Sequence, residues 1–225
     1  PIVDKIGGKR GIVIAALGAC LANMGMGVAT YLFLHDRLPF SLTGTLAVLY
    51  SINMFFQSYG AVSIIKVKAY WFHVRERGLF GAIFGTLISV GVYLAFDWGQ
   101  AIADAAKAAP EKATFLHHTF QYLFSVGSDG KDALWLLFFI PSAFLLAWAA
   151  IDIWLIRDTP AGAGLEDFDT HDASSGLMDE EHTMGQLLHK VLTNPMILMI
   201  ACVEFTTGVL RNGIMQWYFI FAKDV

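Results

Sequence analysis

The sequence is poor in charge and in cysteine. Only 15% of its 225 residues are Asp, Glu, Lys or Arg, whereas a soluble domain carries about 25%. Its two cysteines, Cys20 and Cys202, both lie in apolar runs, so they imply neither a disulfide framework nor a zinc-type pair. The sequence also lacks a glycine-rich phosphate loop, a zincin helix and an elbow around a nucleophilic serine. We therefore predict no enzyme, no catalytic residue, no metal and no cofactor.

Hydrophobic residues are abundant instead. They make up 56% of the chain, and the mean hydropathy is +0.56. A helix needs about 20 apolar residues, at about 1.5 Å each, to cross the hydrocarbon of a bilayer. The runs that meet this length are 11–34, 40–65, 79–96, 133–156 and 195–225. The predicted fold class is therefore an all-α integral membrane protein with five transmembrane helices.

Glycines inside the apolar runs predict close helix packing. The first run holds Gly18, Gly25 and Gly27, and the third holds Gly81-x-x-x-Gly85. Small residues let two helices approach closely in lipid, where no hydrophobic force drives them together. We expect these glycines to face neighbouring helices.

The segments between the runs are polar, and two of them contain short amphipathic helices. Segment 114–124 is predicted to lie at the membrane surface, and its adjacent His117 and His118 favour a solvated or interfacial pair over a metal site, since they point about 100° apart. Segment 157–194 reads as a solvated linker that ends in a second such helix. The apolar positions of that helix are Met184, Leu187, Leu188, Val191 and Leu192.

Lysine and arginine are distributed unequally between the two sides of the predicted membrane. Nine of them fall in segments 1–10, 66–78 and 157–194, and four fall on the other side. The positive-inside rule therefore predicts that these three segments are cytoplasmic. The basic strip 66–77 has the composition to hold nucleic acid or anionic lipid, but beside a span such a strip most often only sets orientation. No nucleic-acid partner is predicted.

The last apolar run contains two charged residues, Glu204 and Arg211. They are two helical turns apart and share one helix face. A guanidinium at mid-membrane costs at least about 3 kcal/mol unless it meets a cavity or a partner, and its fork geometry suits phosphate or carboxylate. We take Arg211 as a candidate anion-binding residue. The alternative is that Arg211 only pairs with Glu204. The Asn212-Gly213 sequence that follows Arg211 predicts an irregular helix at this point.

Four stretches resemble the major facilitator superfamily, and specifically its organophosphate:phosphate antiporters, which include the glycerol-3-phosphate and hexose-phosphate transporters. The stretches are D-K-I-G-G-K-R at 4–10, Phe56-Gln57-x-x-Gly60 continuing through Trp71 to R-E-R-G at 75–78, Arg157-Asp158-Thr159-Pro160 with Gly164-Leu165, and Leu210-Arg211-x-Gly213-Ile214-x-x-Trp217. Together they touch most of the chain.

The resemblance implies that the chain supplies spans three to seven of a twelve-helix carrier. Residues 1–156 would belong to the N-terminal six-helix bundle, 157–194 would be the cytoplasmic central linker, and 195–225 would begin the C-terminal bundle. Arg211 would be one of two arginines that clasp the substrate phosphate, with Trp217 beside it in the same motif. Apart from the resemblance, the position of Lys66 in the basic strip beside a span suggests that it attracts the anion toward a cytoplasm-facing cavity, unless it is only an orienting charge. The expected location is the bacterial inner membrane.

The chain departs from the family pattern at three positions. Ile88 stands where glycerol-phosphate members carry a histidine, Gln216 stands where an aspartate is common, and Glu204 is an added carboxylate. The organic part of the substrate is therefore left open.

We predict a secondary transporter that exchanges an organic phosphate ester for inorganic phosphate by alternating access. Its partners would be this small anionic substrate, the lipid bilayer and the remaining spans of the same carrier. One alternative is a membrane sensor of sugar phosphate. Another is a proton-coupled organic-anion carrier in which Glu204 titrates.

Overall fold

A computed structural model of the chain describes residues 2–110, 113–166, 169–170 and 184–224. These residues contain helices and no strand, and five of the helices are long and apolar enough to cross a membrane. The predicted all-α class with five such helices is therefore confirmed. The chain forms two units, residues 1–173 and 174–225, and each is described by itself.

The described helices agree with the predicted runs to within a few residues at most ends. They are α1 (Ile2–Ile6), α2 (Gly8–Leu34), α3 (Leu42–Trp71), α4 (Arg77–Ala105), α5 (Phe115–Phe124), α6 (Leu136–Leu155), α7 (Met184–Thr193) and α8 (Pro195–Asp224). The largest differences are that α3 continues to Trp71 through the basic strip, and α4 continues to Ala105 through the Ala-rich segment. Each extension contains good helix formers, lysine and alanine in the first and alanine and glutamine in the second, which favour continuation of the helix past the end of the apolar run.

Helix α2 is the centre of the first unit, and glycines let its neighbours approach. It packs against α3 and α6. A Cβ atom added at Gly18 would lie 2.2 Å from the ring of Phe56 in α3, and one at Gly27 would lie 2.5 Å from Phe139 in α6. The prediction that the α2 glycines face neighbouring helices is confirmed, since no larger side chain fits at these positions.

An amide network joins α2 to α3 within their apolar interface. The Asn53 side chain is buried, and its Nδ2 donates to the Ala19 carbonyl at 3.0 Å and to Asn23 Oδ1 at 3.4 Å. Gln57 Nε2 donates in turn to Asn53 Oδ1. Such interhelical hydrogen bonds contribute about 0.6 kcal/mol on average, and up to about 1.7 kcal/mol, within a bilayer.

Helix α4 is as apolar as α2 but is exposed along its length. Gly85 has no heavy atom within 4 Å of an added Cβ among the described residues, and Gly81 meets only Lys68 Nζ, at 3.2 Å. The predicted close helix packing at Gly81-x-x-x-Gly85 is therefore wrong for the described part of the chain. The spacing is present in the sequence, but no neighbouring helix backbone occupies it.

Helix α5 packs against the end of α4 and the start of α6 through a small core of Ala105, Ala106, Phe120, Val126, Ala133 and Leu136. His117 is only 3% exposed, and its Nδ1 lies 2.9 Å from the Ala105 carbonyl. The prediction that His117 belongs to a solvated or interfacial pair is therefore wrong. A hydrogen bond to a backbone carbonyl explains its burial, and the sequence did not show which face of α5 would be covered.

The second unit consists of α7 and α8. Helix α7 covers the predicted amphipathic segment, and the Asn194 side chain then caps α8, with Oδ1 accepting from the Met196 amide at 3.0 Å. Helix α8 is continuous through Asn212 and Gly213. The predicted irregularity at these residues is therefore wrong, because helical hydrogen bonding on both sides of a single glycine outweighs its poor propensity, a cost of about 1 kcal/mol.

Candidate functional site

Three of the predicted site residues, Glu204, Arg211 and Trp217, lie on α8 in the second unit. Both charged side chains are exposed, and Trp217 is 66% exposed. Among the described residues neither Glu204 nor Arg211 takes part in an ion pair or a hydrogen bond. The alternative that Arg211 serves only to pair with Glu204 is therefore disfavoured.

Arg211 lies near the middle of α8, which is mainly apolar. It is 16 residues after Pro195, or about 24 Å along the helix axis. Its neighbours Leu210 and Ile214 are exposed and apolar. A permanent positive charge in this setting needs an anion or water to solvate it if the helix spans a membrane.

The fourth predicted residue, Lys66, belongs to the first unit. It lies on α3, is half-buried, and its ammonium donates to the Val3 carbonyl of α1 at 3.2 Å. This bond holds α1 against α3. Attraction of an anionic substrate by Lys66 stays a prediction.

Within the first unit, segments 1–10 and 66–78 and the beginning of segment 157–194, all predicted to be cytoplasmic, meet at one end. The Lys9 amide donates to Asp158 Oδ1 at 2.6 Å, which places a carboxylate at the N-terminus of α2. The Trp71 indole donates to the Arg157 carbonyl at 3.0 Å. A carboxylate is favourable at a helix N-terminus because the helix dipole is positive there.

Arg77 completes this end of the unit. Its guanidinium donates to the carbonyls of Ala69 at 2.7 Å and Phe72 at 3.2 Å. These are carbonyls at the C-terminus of α3 that have no partner within the helix. Arg77, one of the residues counted in the positive-inside prediction, therefore also caps the C-terminus of α3.

The segments assigned to the other side of the membrane meet at the opposite end. His35 Nε2 lies 3.4 Å from Asp129 Oδ2, and Lys131 Nζ lies 3.6 Å from Asp36 Oδ2 and donates to the Leu34 carbonyl at 2.6 Å. The backbone amide of Lys131 also donates to Asp129 and is the main reason that the pKa of Asp129 is lowered, with a smaller contribution from His35. These contacts fasten the 125–135 loop to the end of α2.

Sequence reasoning missed a cavity of about 660 Å³ in the first unit. It lies between α2, α3, α4 and α6, and its apolar wall includes Ile12, Ile64, Val67, Phe84, Leu87 and Leu155. Lys68, Trp71 and Arg157 are the polar lining residues. In the sequence, Lys68 is one of several cations in the basic strip 66–77. The signal available in the sequence was Lys68-x-x-Trp71, which puts a cation and an indole one helical turn apart.

No group of three or more metal-ligating side chains exists among the described residues. No protein-family model, no curated protein and no solved structure matches the chain.

Proposed function

We propose that the chain is part of a secondary transporter that exchanges an organic phosphate ester for inorganic phosphate. The observation that carries this proposal is Arg211, a guanidinium far inside a helix long enough to cross a bilayer, with no ion-pair partner among the described residues. Intramembrane ionisable groups are functional candidates by default. Arginine differs from lysine in offering two parallel N–H bonds to phosphate.

The proposal includes the resemblance to organophosphate:phosphate antiporters. In this reading the five long helices are spans three to seven of a twelve-helix carrier in the bacterial inner membrane. Segments 1–10, 66–78 and 157–194 face the cytoplasm. Arg211, with Trp217 nearby on the same helix, binds the phosphate group, and Lys66 attracts the anion from the cytoplasm. Rocking of the two halves about a midplane site would then exchange the two anions.

Counterflow in proteoliposomes tests the proposal. In the intact carrier, Arg211→Ala is expected to abolish exchange of a phosphate ester for phosphate while membrane insertion is unchanged. Arg211→Lys is expected to lose most of the exchange, because a point charge lacks the bidentate geometry. Arg37→Ala is the matched control, since Arg37 is an exposed arginine outside α8 and outside the four family-like stretches. Full exchange by Arg211→Ala would overturn the proposal, and binding without counterflow would favour a sensor.

Glu204 supports a second candidate function, a proton-coupled organic-anion carrier. Its carboxylate lies on the same helix as Arg211 and has no hydrogen bond or ion pair among the described residues. If Glu204 carries the proton, uptake follows an imposed pH gradient, and Glu204→Gln uncouples uptake from that gradient. Pure exchange would leave the flux of Glu204→Gln independent of the gradient, as in the unaltered carrier.

A further inference from the structure

The cavity of the first unit combines an apolar groove with a cationic end. The groove is open, since Ile64, Leu87 and Ile88 in its wall remain 48%, 60% and 68% exposed. Its volume of about 660 Å³ is within the range of small-molecule sites, roughly 300–1,000 Å³. Such a shape suits a ligand with a long apolar part and a small anionic part.

The two cationic lining residues, Lys68 and Arg157, lie near the C-terminal ends of α3 and α6. The Lys68 ammonium has no hydrogen-bond or ion-pair partner among the described residues, and it lies over Gly81, which has no side chain to displace it. Arg157 donates through Nη1 to the carbonyls of Trp154 and Ile156. The Trp71 indole fixes the Arg157 backbone from the other side.

We propose that this groove binds one anionic phospholipid, with its phosphate between Lys68 and Arg157 and an acyl chain along the wall that includes Ile64 and Leu87. Charge complementarity favours this ligand, because Lys68 and Arg157 lie at the ends of helices able to cross a membrane, where phospholipid headgroups are found. Basic pockets between transmembrane helices bind anionic headgroups, and tryptophan is enriched at the membrane–water interface. The site shares no residue with the anion site proposed on α8.

Lipid binding to the purified chain in detergent tests this assignment. Phosphatidylglycerol is expected to bind tightly enough to be retained in native mass spectra, and phosphatidylcholine is not. Lys68→Gln and Arg157→Gln are each expected to weaken phosphatidylglycerol binding about fivefold, because one cation near the headgroup is worth about that factor. The matched control is Arg75→Gln, which removes a cation from an exposed position that does not line the groove.

A second pair of variants tests the acyl chain. Leu87→Trp fills the groove and is expected to weaken phosphatidylglycerol binding at least tenfold, whereas Leu79→Trp on the same helix is outside the lining and leaves it unchanged. Circular dichroism confirms that each variant keeps its helices, and Lys68→Arg should retain binding where Lys68→Gln does not.

Two results would overturn the assignment. Equal binding of phosphatidylglycerol and phosphatidylcholine would remove the role of the cations. Displacement of phosphatidylglycerol by glycerol 3-phosphate at matched concentration would make the groove a site for a soluble phosphate ester. Neither result depends on whether Arg211→Ala exchanges phosphate, so failure here and failure of the transport proposal are distinguishable.

Discussion

Helices α2 and α4 have nearly the same composition and opposite surroundings. Both reach a mean hydropathy of 2.0 over their most apolar window, and they are 27 and 29 residues long. Yet α2 buries eleven residues and α4 buries only Ala105. The glycines of α2 accept Phe56 and Phe139, whereas Gly85 of α4 meets no described atom.

This difference shows what apolar composition measures. Hydropathy reports whether a helix prefers an oily environment, and lipid tails are as apolar as leucine side chains. Whether lipid or another helix covers an apolar helix depends on whether a neighbouring helix offers a complementary surface. For α2 that surface includes the rings of Phe56 on α3 and Phe139 on α6, which lie opposite glycines.

The largest effect is expected from replacing a packed glycine of α2. Gly18→Val is expected to lower the free energy of unfolding by at least about 2 kcal/mol, because its side chain would overlap the Phe56 ring. Gly85→Val is the matched control, with the same helix propensity change and open space around it. Reversible unfolding in mixed micelles, followed by circular dichroism, measures both. Equal effects of the two substitutions would contradict the packing difference.

A medium effect is expected at the amide network. Asn53→Leu removes the bonds to Ala19 and Asn23 and leaves Gln57 without its acceptor, so we expect a loss of about 1 kcal/mol. Ser89→Ala on α4 is the comparison, since the Ser89 hydroxyl bonds only to the Gly85 carbonyl of its own helix. Its effect in the same assay should be near zero. If Ser89→Ala lowered the free energy of unfolding as much as Asn53→Leu, the loss at Asn53 could not be assigned to hydrogen bonds between helices.

The helix N-termini provide a smaller contrast. Asp158→Asn keeps an acceptor for the Lys9 amide but removes the charge at the start of α2, and about 0.5 kcal/mol should be lost. Helix α4 begins at Arg77, and the side chain of its N-cap residue Glu76 makes no capping hydrogen bond, so Glu76→Gln should cost less. High salt should reduce the cost of Asp158→Asn because it screens the charge. A cost independent of salt would argue against the dipole.

The smallest expected effect concerns pH at the C-terminal end of α2. The pKa of Asp129 is lowered in the folded chain, so its contribution to stability is present above the unfolded value of about 3.9 and is lost as the pH falls through the lower folded pKa. Asp129→Asn should flatten this part of the stability curve below pH 4. Nuclear magnetic resonance titration of the Asp129 carboxyl checks the direction, and an unshifted or raised pKa would refute it.

Most of the fold could be predicted from local sequence, because helix length and apolar content are local properties. The capping residue Asn194 and the start of α8 at Pro195 follow from the same local rules. The failures concern contacts between distant residues. Nothing near Gly81 indicates that no helix will cover it, and nothing near His117 indicates that the Ala105 carbonyl will accept its ring nitrogen.

Of the two candidate sites, one could be predicted from local sequence and the other could not. Arg211 could be singled out because the cost of a charge in an apolar run depends on that run alone. The groove of Lys68 and Arg157 could not, because 89 positions separate the two residues and only the folded bundle brings them to one cavity. Lys66 and Lys68 look equivalent in the sequence, but one ammonium binds the Val3 carbonyl and the other lies in the groove.

The bond between Lys9 and Asp158 has a consequence for biosynthesis. The two residues are 149 positions apart, and a ribosome adds about 5–20 residues per second. The start of α2 therefore waits roughly 7–30 s for its carboxylate. During that interval the first turn of α2 lacks this partner, and synthesis of the segment after α6 supplies it.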